Sequence, residues 1–327
     1  MKSCRINPAI SALLVILVLV CAQAIPAAAA TEGSFQRTLQ VSGPVRLDVA
    51  TGSGSIQVRT GASNQVLVTG HIKATEWFGD AESRVKRLED NPPIQQSGNE
   101  IRVGHINDPE LTHNISISYE IVVPEQAEVR AHSGSGNQSV EGIRGPLEVD
   151  AGSGGLKISG ISNRVQVGTG SGNIEIEQVK GDVRAKTGSG SIQATDIAGG
   201  FEAETGSGRI TLQQTAPGSV REETGSGGME LHGIRGSLEA KAGSGTIRAD
   251  GSPTGAWSLR TGSGGVQVKL PHDASFDLEA HTSSGSISVD HPVTVQGSMG
   301  RKDIRGKVRG GGVPVEVQTA SGNIEIQ

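Results

Sequence analysis

Apolar and polar residues alternate along most of this chain, and the alternation restarts on a fixed count. In residues 170–187, GSGNIEIEQVKGDVRAKT, Ile174 and Ile176 alternate with polar neighbours and Val179 stands alone; Val183 and Ala185 then alternate again before Thr187. The preceding stretch places Leu156, Ile158, Ile161, Val165, Val167 and Thr169 at the same offsets. The following one places Ile192, Ala194, Ile197, Phe201, Ala203 and Thr205 there. A period of two marks a strand with one buried face. Each unit therefore predicts two short strands, with turns at GSG and near a mid-unit Gly or Asn.

The units are counted by their glycines. The first Gly of each GSG falls at Gly134, Gly152, Gly170, Gly188, Gly206, Gly225, Gly243 and Gly262, in steps of 18 or 19. A degenerate SSG begins at Ser283, ASGNIEI begins at Ala320, and an early copy, TGSGSIQV, begins at Thr51. A lone pair of short strands is marginal in water. Identical offsets remove that problem, because each unit can stack in register on the last and give every strand a backbone partner on both sides, about 4.8 Å away. The pattern predicts an all-β chain: a single-stranded parallel β-solenoid, or β-helix, with 18-residue turns. The period is too short for a propeller blade of about 40 residues, and the glycines lack the three-residue spacing of collagen.

Two reasons for glycine at the corners follow from stacking. Positive φ is accessible to it, and it carries no Cβ to meet the copies above and below. The serines of GSG, from Ser135 through Ser153, Ser171, Ser189 and Ser207 to Ser263, are expected to form a hydroxyl ladder over corner backbone groups. Three departures stand out. TAPGSV adds a loop residue to the unit from Gly206, Glu222 falls where a small apolar residue is expected, and LPHDAS lengthens the unit from Gly262 while Leu278, Ala280 and Thr282 keep their places.

The periodicity divides the chain into three expected parts. Residues 1–30 read as a signal peptide, with Lys2 and Arg5 before the apolar residues 9–20 and small residues up to Ala30. Residues 31–132 read as an N-terminal β-rich cap and first coils, with one helix over 80–90 halted by Asn91-Pro92-Pro93. Residues 133–327 read as a solenoid of about ten repeats, with irregular turns near the C-terminus. Such stacks need caps on their exposed edges. Trp77 and Phe78, adjacent in a chain that is only 2% aromatic, are expected to plug an end rather than form a binding platform.

Composition agrees with a glycine-cornered aliphatic stack: 48 of 327 residues are Gly. A net charge of −5 with both signs interspersed argues against a dedicated nucleic-acid binder. Cys4 and Cys21, the only cysteines, both lie in the leader, so the exported chain is expected to carry no disulfide. Val20 disfavours lipid anchoring at Cys21, because a lipoprotein-type cleavage wants a small residue there.

The leader, the β-rich N-terminal segment, the successive TGSG units and the closing VEVQTASGNIEI resemble the bacterial DUF4097 family of candidate adhesins with β-strand repeats. The resemblance spans most of residues 40–327. It implies adhesion without a defined receptor, and it brings no catalytic residues with it.

GTGSGN at Gly168 is another corner, and GxxxxGK[ST], GxSxG and HExxH do not occur. The corners lack the aspartate of calcium-binding solenoid repeats. His272, His281 and His291 read as surface-loop residues without metal-ligand spacing. Arg301, Lys302, Arg305, Lys307 and Arg309 crowd nine residues and form the candidate patch for an anionic ligand, against a plain solvated loop. A threonine column at Thr169, Thr187, Thr205, Thr224 and Thr261 suggests an ice-binding face, but its charged neighbours argue against one.

The expected function is therefore an exported, non-catalytic adhesin or cell-envelope scaffold in the periplasm or at the cell surface. It would bind a glycan or protein through its repeat faces, with no cofactor, metal, nucleic acid or transmembrane helix after signal cleavage. The alternative is a regulatory partner in envelope-stress sensing. A polysaccharide-active β-helix enzyme ranks below both, because units this short leave no loops to wall a cleft.

Overall fold

The computed structural model describes residues 30–75, 80–295 and 300–327. The leader (Ala30 apart), both cysteines, Trp77 and Phe78 lie outside the described residues.

The alternation becomes two long sheets over one core, of fourteen and fifteen strands. Their central members are all parallel. One sheet stacks Leu147–Ser153, Val165–Thr169, Val183–Thr187, Phe201–Ser207, Val220–Ser226, Leu238–Ser244 and Trp257–Ser263. The other stacks Leu156–Ile161, Ile174–Val179, Ile192–Ile197, Ile210–Gln214, Met229–Ile234, Ile247–Gly251 and Val266–Lys269. The chain passes from one sheet to the other at every GSG, so each repeat is one winding of a β-solenoid.

Register does the work the offsets predict. Val165 lies beside Leu147 and Val183, and Ile174 lies beside Leu156 and Ile192. Columns of buried aliphatic side chains result, closed at one level by Trp257, whose Nε1 donates to Gly236 O at 3.0 Å. Each such side chain contributes about 1.5–3 kcal/mol on burial, which replaces the aromatic area the composition lacks.

The corners correct one expectation and sharpen another. A left-handed φ is not their general requirement; close approach is. A Cβ on Gly172 would lie 2.0 Å from Gly154 O, and on Gly190 or Gly208 1.9 Å from the carbonyl oxygen of the matching glycine one winding back. The left-handed helical φ belongs instead to the mid-unit turn, at Gly142 (80°), Gly160 (67°), Gln178 (56°), Asp196 (56°) and Gly233 (71°), while the corner glycines Gly136 (159°) and Gly264 (149°) lie near extended φ.

The hydroxyl ladder exists, but threonine supplies it. The GSG serines Ser153, Ser171, Ser189 and Ser207 point to solvent. Ala151 and Ala242 precede two of the GSG corners, but where threonine does it is buried and donates Oγ1 to a glycine carbonyl of the previous winding, as in Thr169 to Gly154 O (3.0 Å), Thr187 to Gly172 O (2.9 Å) and Thr205 to Gly190 O (2.9 Å). The threonine column is therefore internal. The ice-binding suggestion falls with it.

Both ends depart from sequential stacking. The winding of Arg46–Ser53 and Ile56–Thr60 has Glu128–Ser135 and Gln138–Glu141 on one side, and Glu100–Val103 and Ile115–Val123 on the other. The intervening chain forms the outer layers. Ala30–Gln40 and Gln65–Thr75 run antiparallel at the edge of one sheet, and Ile94–Ser97 runs antiparallel at the edge of the other. The helix α1 (Ala81–Asp90) buries Ala81, Arg84, Val85 and Leu88. Its Glu89 Oε1 accepts from Ser34 N on the outermost strand at 2.8 Å, and Gln96 Nε2 donates to Gln40 O there at 2.8 Å. Side chains thus occupy groups that a free strand edge would offer to another chain.

At the C-terminal end the SSG winding, Phe276–Ser284 with Ile287–Val289, does not stack on the winding before it. The later strands Val313–Ser321 and Ile324–Ile326 lie between the two. Asp303–Val308 and Val293–Val295 then close that edge antiparallel.

Candidate functional site

The two outer faces carry most of the polar chemistry. Parallel in-register stacking puts equivalent outward residues about 4.8 Å apart, so repeated like charges would repel. One outward column avoids this by alternating sign from Arg184 to Glu239, whereas the next sets Glu204 beside Glu223 and Lys241 beside Arg260. Arg130, Glu148, Gln166, Arg184, Glu202, Arg221 and Glu239 occupy one column. Arg130 meets Glu148 at 3.3 Å, Arg184 meets Glu202 at 3.0 Å, and Arg221 meets Glu239 at 2.5 Å. Lys186 meets Glu204 at 2.5 Å in the next column, and Lys157 meets Glu175 at 3.3 Å on the opposite sheet. Hydrogen bonds from Lys241 and then Arg221 hold the Glu239 carboxyl below the usual glutamate range. An open trough follows this ladder, floored by Gly200, Ser219, Ser237 and Ala256.

The five predicted basic residues are all exposed, on one strand and the turns that flank it. Arg305 and Lys307 share the outer face of Asp303–Val308. Arg305 pairs with Glu279, and Lys307 sits opposite Asp277. Arg301 and Lys302 precede the strand, with Lys302 Nζ donating to Ser283 O at 2.8 Å. Arg309 turns past its end at φ 47° and donates Nε to His272 O at 2.8 Å. The acidic outward residues of Phe276–Ser284 thus face the basic strand, and this pairing fixes the antiparallel cap.

The histidines divide. His272 and His281 are exposed, and His281 Nδ1 lies 2.5 Å from Asp303 Oδ1. His291 overturns its reading as a surface-loop residue. It is buried edge-on to Phe276, with ring centroids 5.6 Å apart, and its Nε2 has no partner among the described residues.

Three further buried polar groups lie inside the stack. Glu222 is 1% exposed, lies between Ala203 and Ala240, and has neither carboxylate oxygen hydrogen-bonded among the described residues. Burial pushes its carboxyl well above the ordinary range, so it is held neutral. Gln214, one connector earlier, donates to Gly199 O at 3.1 Å while its Oε1 is unsatisfied. Gln138 donates to Asp150 O at 2.6 Å and likewise leaves Oε1 unsatisfied. Glu222 is visible in the sequence as a break in the apolar column, whereas the glutamines were missed because Gln also suits outward positions. Burial raises the Asp150 carboxyl, helped by Glu148 and opposed by His132. Among the described residues, no three His, Cys, Asp or Glu side chains are grouped to hold a metal ion, and no helix is long and apolar enough to cross a membrane.

A family model described as Toastrack DUF4097 matches residues 47–221 and 163–327. No curated protein matches the chain. Among solved structures, a candidate cell adhesion protein from Clostridium sporogenes is 12% identical, with 90% of this chain and 99% of that one covered and a TM-score of 0.22. A candidate adhesin from Bacteroides fragilis is 11% identical, with 90% and 97% covered and a TM-score of 0.30.

Proposed function

Because this chain belongs to the Toastrack DUF4097 family, we propose that it is an exported, non-catalytic β-solenoid that binds a cell-surface or envelope ligand through its repeated faces. The carrying observation is the charge ladder: outward side chains of opposite sign pair between neighbouring windings along the face of a stacked sheet. Such a lattice suits weak contacts repeated along an extended glycan or protein, where avidity replaces a deep pocket. An adhesin and an envelope scaffold are both uses of it. An anionic polymer would meet Arg301, Lys302, Arg305, Lys307 and Arg309 on the exposed C-terminal cap.

The test is binding of purified residues 31–327 to bacterial and host cells, glycan arrays and matrix proteins. The control is a chain with the outward residues of the central windings shuffled and the inward residues intact. Binding above that control supports the reading; equal binding by both chains refutes it. Fractionation of the native organism with surface proteolysis separates adhesion from a periplasmic role.

A further inference from the structure

The out-of-order winding at the C-terminal end carries a consequence for self-association. Val313–Ser321 lies in register between Trp257–Ser263 and Phe276–Ser284, with Val315 between Trp257 and Leu278 and Ser321 between Ser263 and Ser284. Ile324–Ile326 lies between Val266–Lys269 and Ile287–Val289 in the other sheet. Val315, Val317, Ile324 and Ile326 are buried in this slot. Thr319 Oγ1 donates to Gly264 O at 3.0 Å on one side, and Gly322 O accepts from Thr282 Oγ1 at 2.9 Å on the other. The slot is thus a strand-shaped site with both walls built by chain that precedes its occupant.

Only residues 309–312 tie the occupant to the cap. Val308 and Val313 are both partners of Phe276, on opposite sides. The link must therefore cross two strand spacings, about 9.6 Å, and reverse direction. It does so in a tight turn: φ is 47° at Arg309, a cost for a residue with a Cβ, and 90° and 89° at Gly310 and Gly311, where glycine tolerates it. A Cβ on Gly312 would lie 2.6 Å from Ser275 O as the link passes over the neighbouring strand.

We propose that residues 313–326 are exchangeable, so that a second copy of this chain can fill the slot and form a swapped dimer. Every contact in the slot is the same whichever copy supplies the winding. Exchange therefore trades the tight turn at Arg309 for an open link at the expense of association entropy, and protein concentration shifts the balance.

Disulfide trapping reads the exchange. Ser263 and Ser321 are exposed register neighbours, and in a chain carrying Cys4→Ser and Cys21→Ser, Ser263→Cys with Ser321→Cys locks the winding to whichever copy hosts it. The protein is refolded over a range of concentrations, oxidised, and resolved on a denaturing gel beside light scattering. Cross-linked dimer that rises with concentration is expected. Deleting Gly310 and Gly311 leaves three Cα–Cα steps, about 10–11 Å fully extended, for a crossing of about 9.6 Å, so no slack remains for the reversal, and the dimer-to-monomer ratio rises on the order of tenfold or more. Cross-linked monomer alone at every concentration overturns the proposal. A dimer by scattering that lacks the intermolecular cross-link also overturns it, because another surface is then responsible. If the shortened chain does not fold, the concentration series on the full-length link decides.

Discussion

The central windings and the two ends solve the same stacking problem differently. Between residues 147 and 263 each winding touches the one before it and the one after it, so a short local rule is enough. At the ends, spatial order departs from chain order, and antiparallel strands with one helix replace repeats. A repeat can state how to continue but not how to stop. Stopping requires residues that satisfy one edge and refuse another, as Glu89 and Gln96 do on the outermost strand.

The largest expected effect tests how strict the central rule is. Gly208→Ala puts a methyl 1.9 Å from a backbone carbonyl that is itself fixed in the ladder, and we expect a loss of about 3 kcal/mol or more by urea denaturation. Gly98→Ala, at the N-terminal cap, has φ of 61° with no heavy atom within 4 Å, so only conformational strain of about 1 kcal/mol is expected. Equal losses at the two positions would show that close approach is not what demands glycine in the stack.

The next effect lies where the central rule is broken from within. Glu222→Ala restores the alanine found at Ala203 and Ala240 and is expected to stabilise the protein. The folded state keeps a proton that the unfolded state gives up above the ordinary value of 4.5. The unfolded chain then binds fewer protons, and wild-type stability falls as pH rises, by about 1.4 kcal/mol per pH unit until the folded carboxyl ionises. The variant should lose that slope in melts between pH 5 and pH 8. Parallel slopes in the two proteins would mean that Glu222 finds a partner or water.

Smaller effects separate buried from exposed pairing. Thr205→Val removes the hydroxyl from Gly190 O and should cost about 1–2 kcal/mol, insensitive to salt. Arg184→Glu faces Glu202 across one strand spacing and should cost about 0.5 kcal/mol, shrinking in high salt. A reversal of that ranking would move the stabilising weight from the threonine ladder to the outer faces.

The legible and illegible parts of the fold follow from what period-two alternation can carry. Ile174, Ile176, Val183 and Ala185 announce strands, faces and register, because one offset fixes all neighbours at once. Glycine at Gly172 and Gly190 is readable as a steric need, whereas the hydroxyl donor is not: Ser and Thr both suit a turn, and only the direction of the strand shows that Thr187 points inward. The order at the ends was not readable. Val313–Ser321 has the pattern of any other winding, and no local feature tells it to pass back beneath Phe276–Ser284. The basic residues from Arg301 to Arg309 are legible in sequence, but Asp277 and Glu279, opposite Lys307 and Arg305, are not, because they lie a strand away.

The alternation of Arg184, Glu202, Arg221 and Glu239 also bears on how such a chain could lengthen. Copying one unit would continue the apolar columns and the glycine corners but set like charge over like charge. Copying two adjacent units together preserves all three. In this column the electrostatic repeat is therefore twice the structural one, and inserting units in pairs would extend it without a like-charge seam.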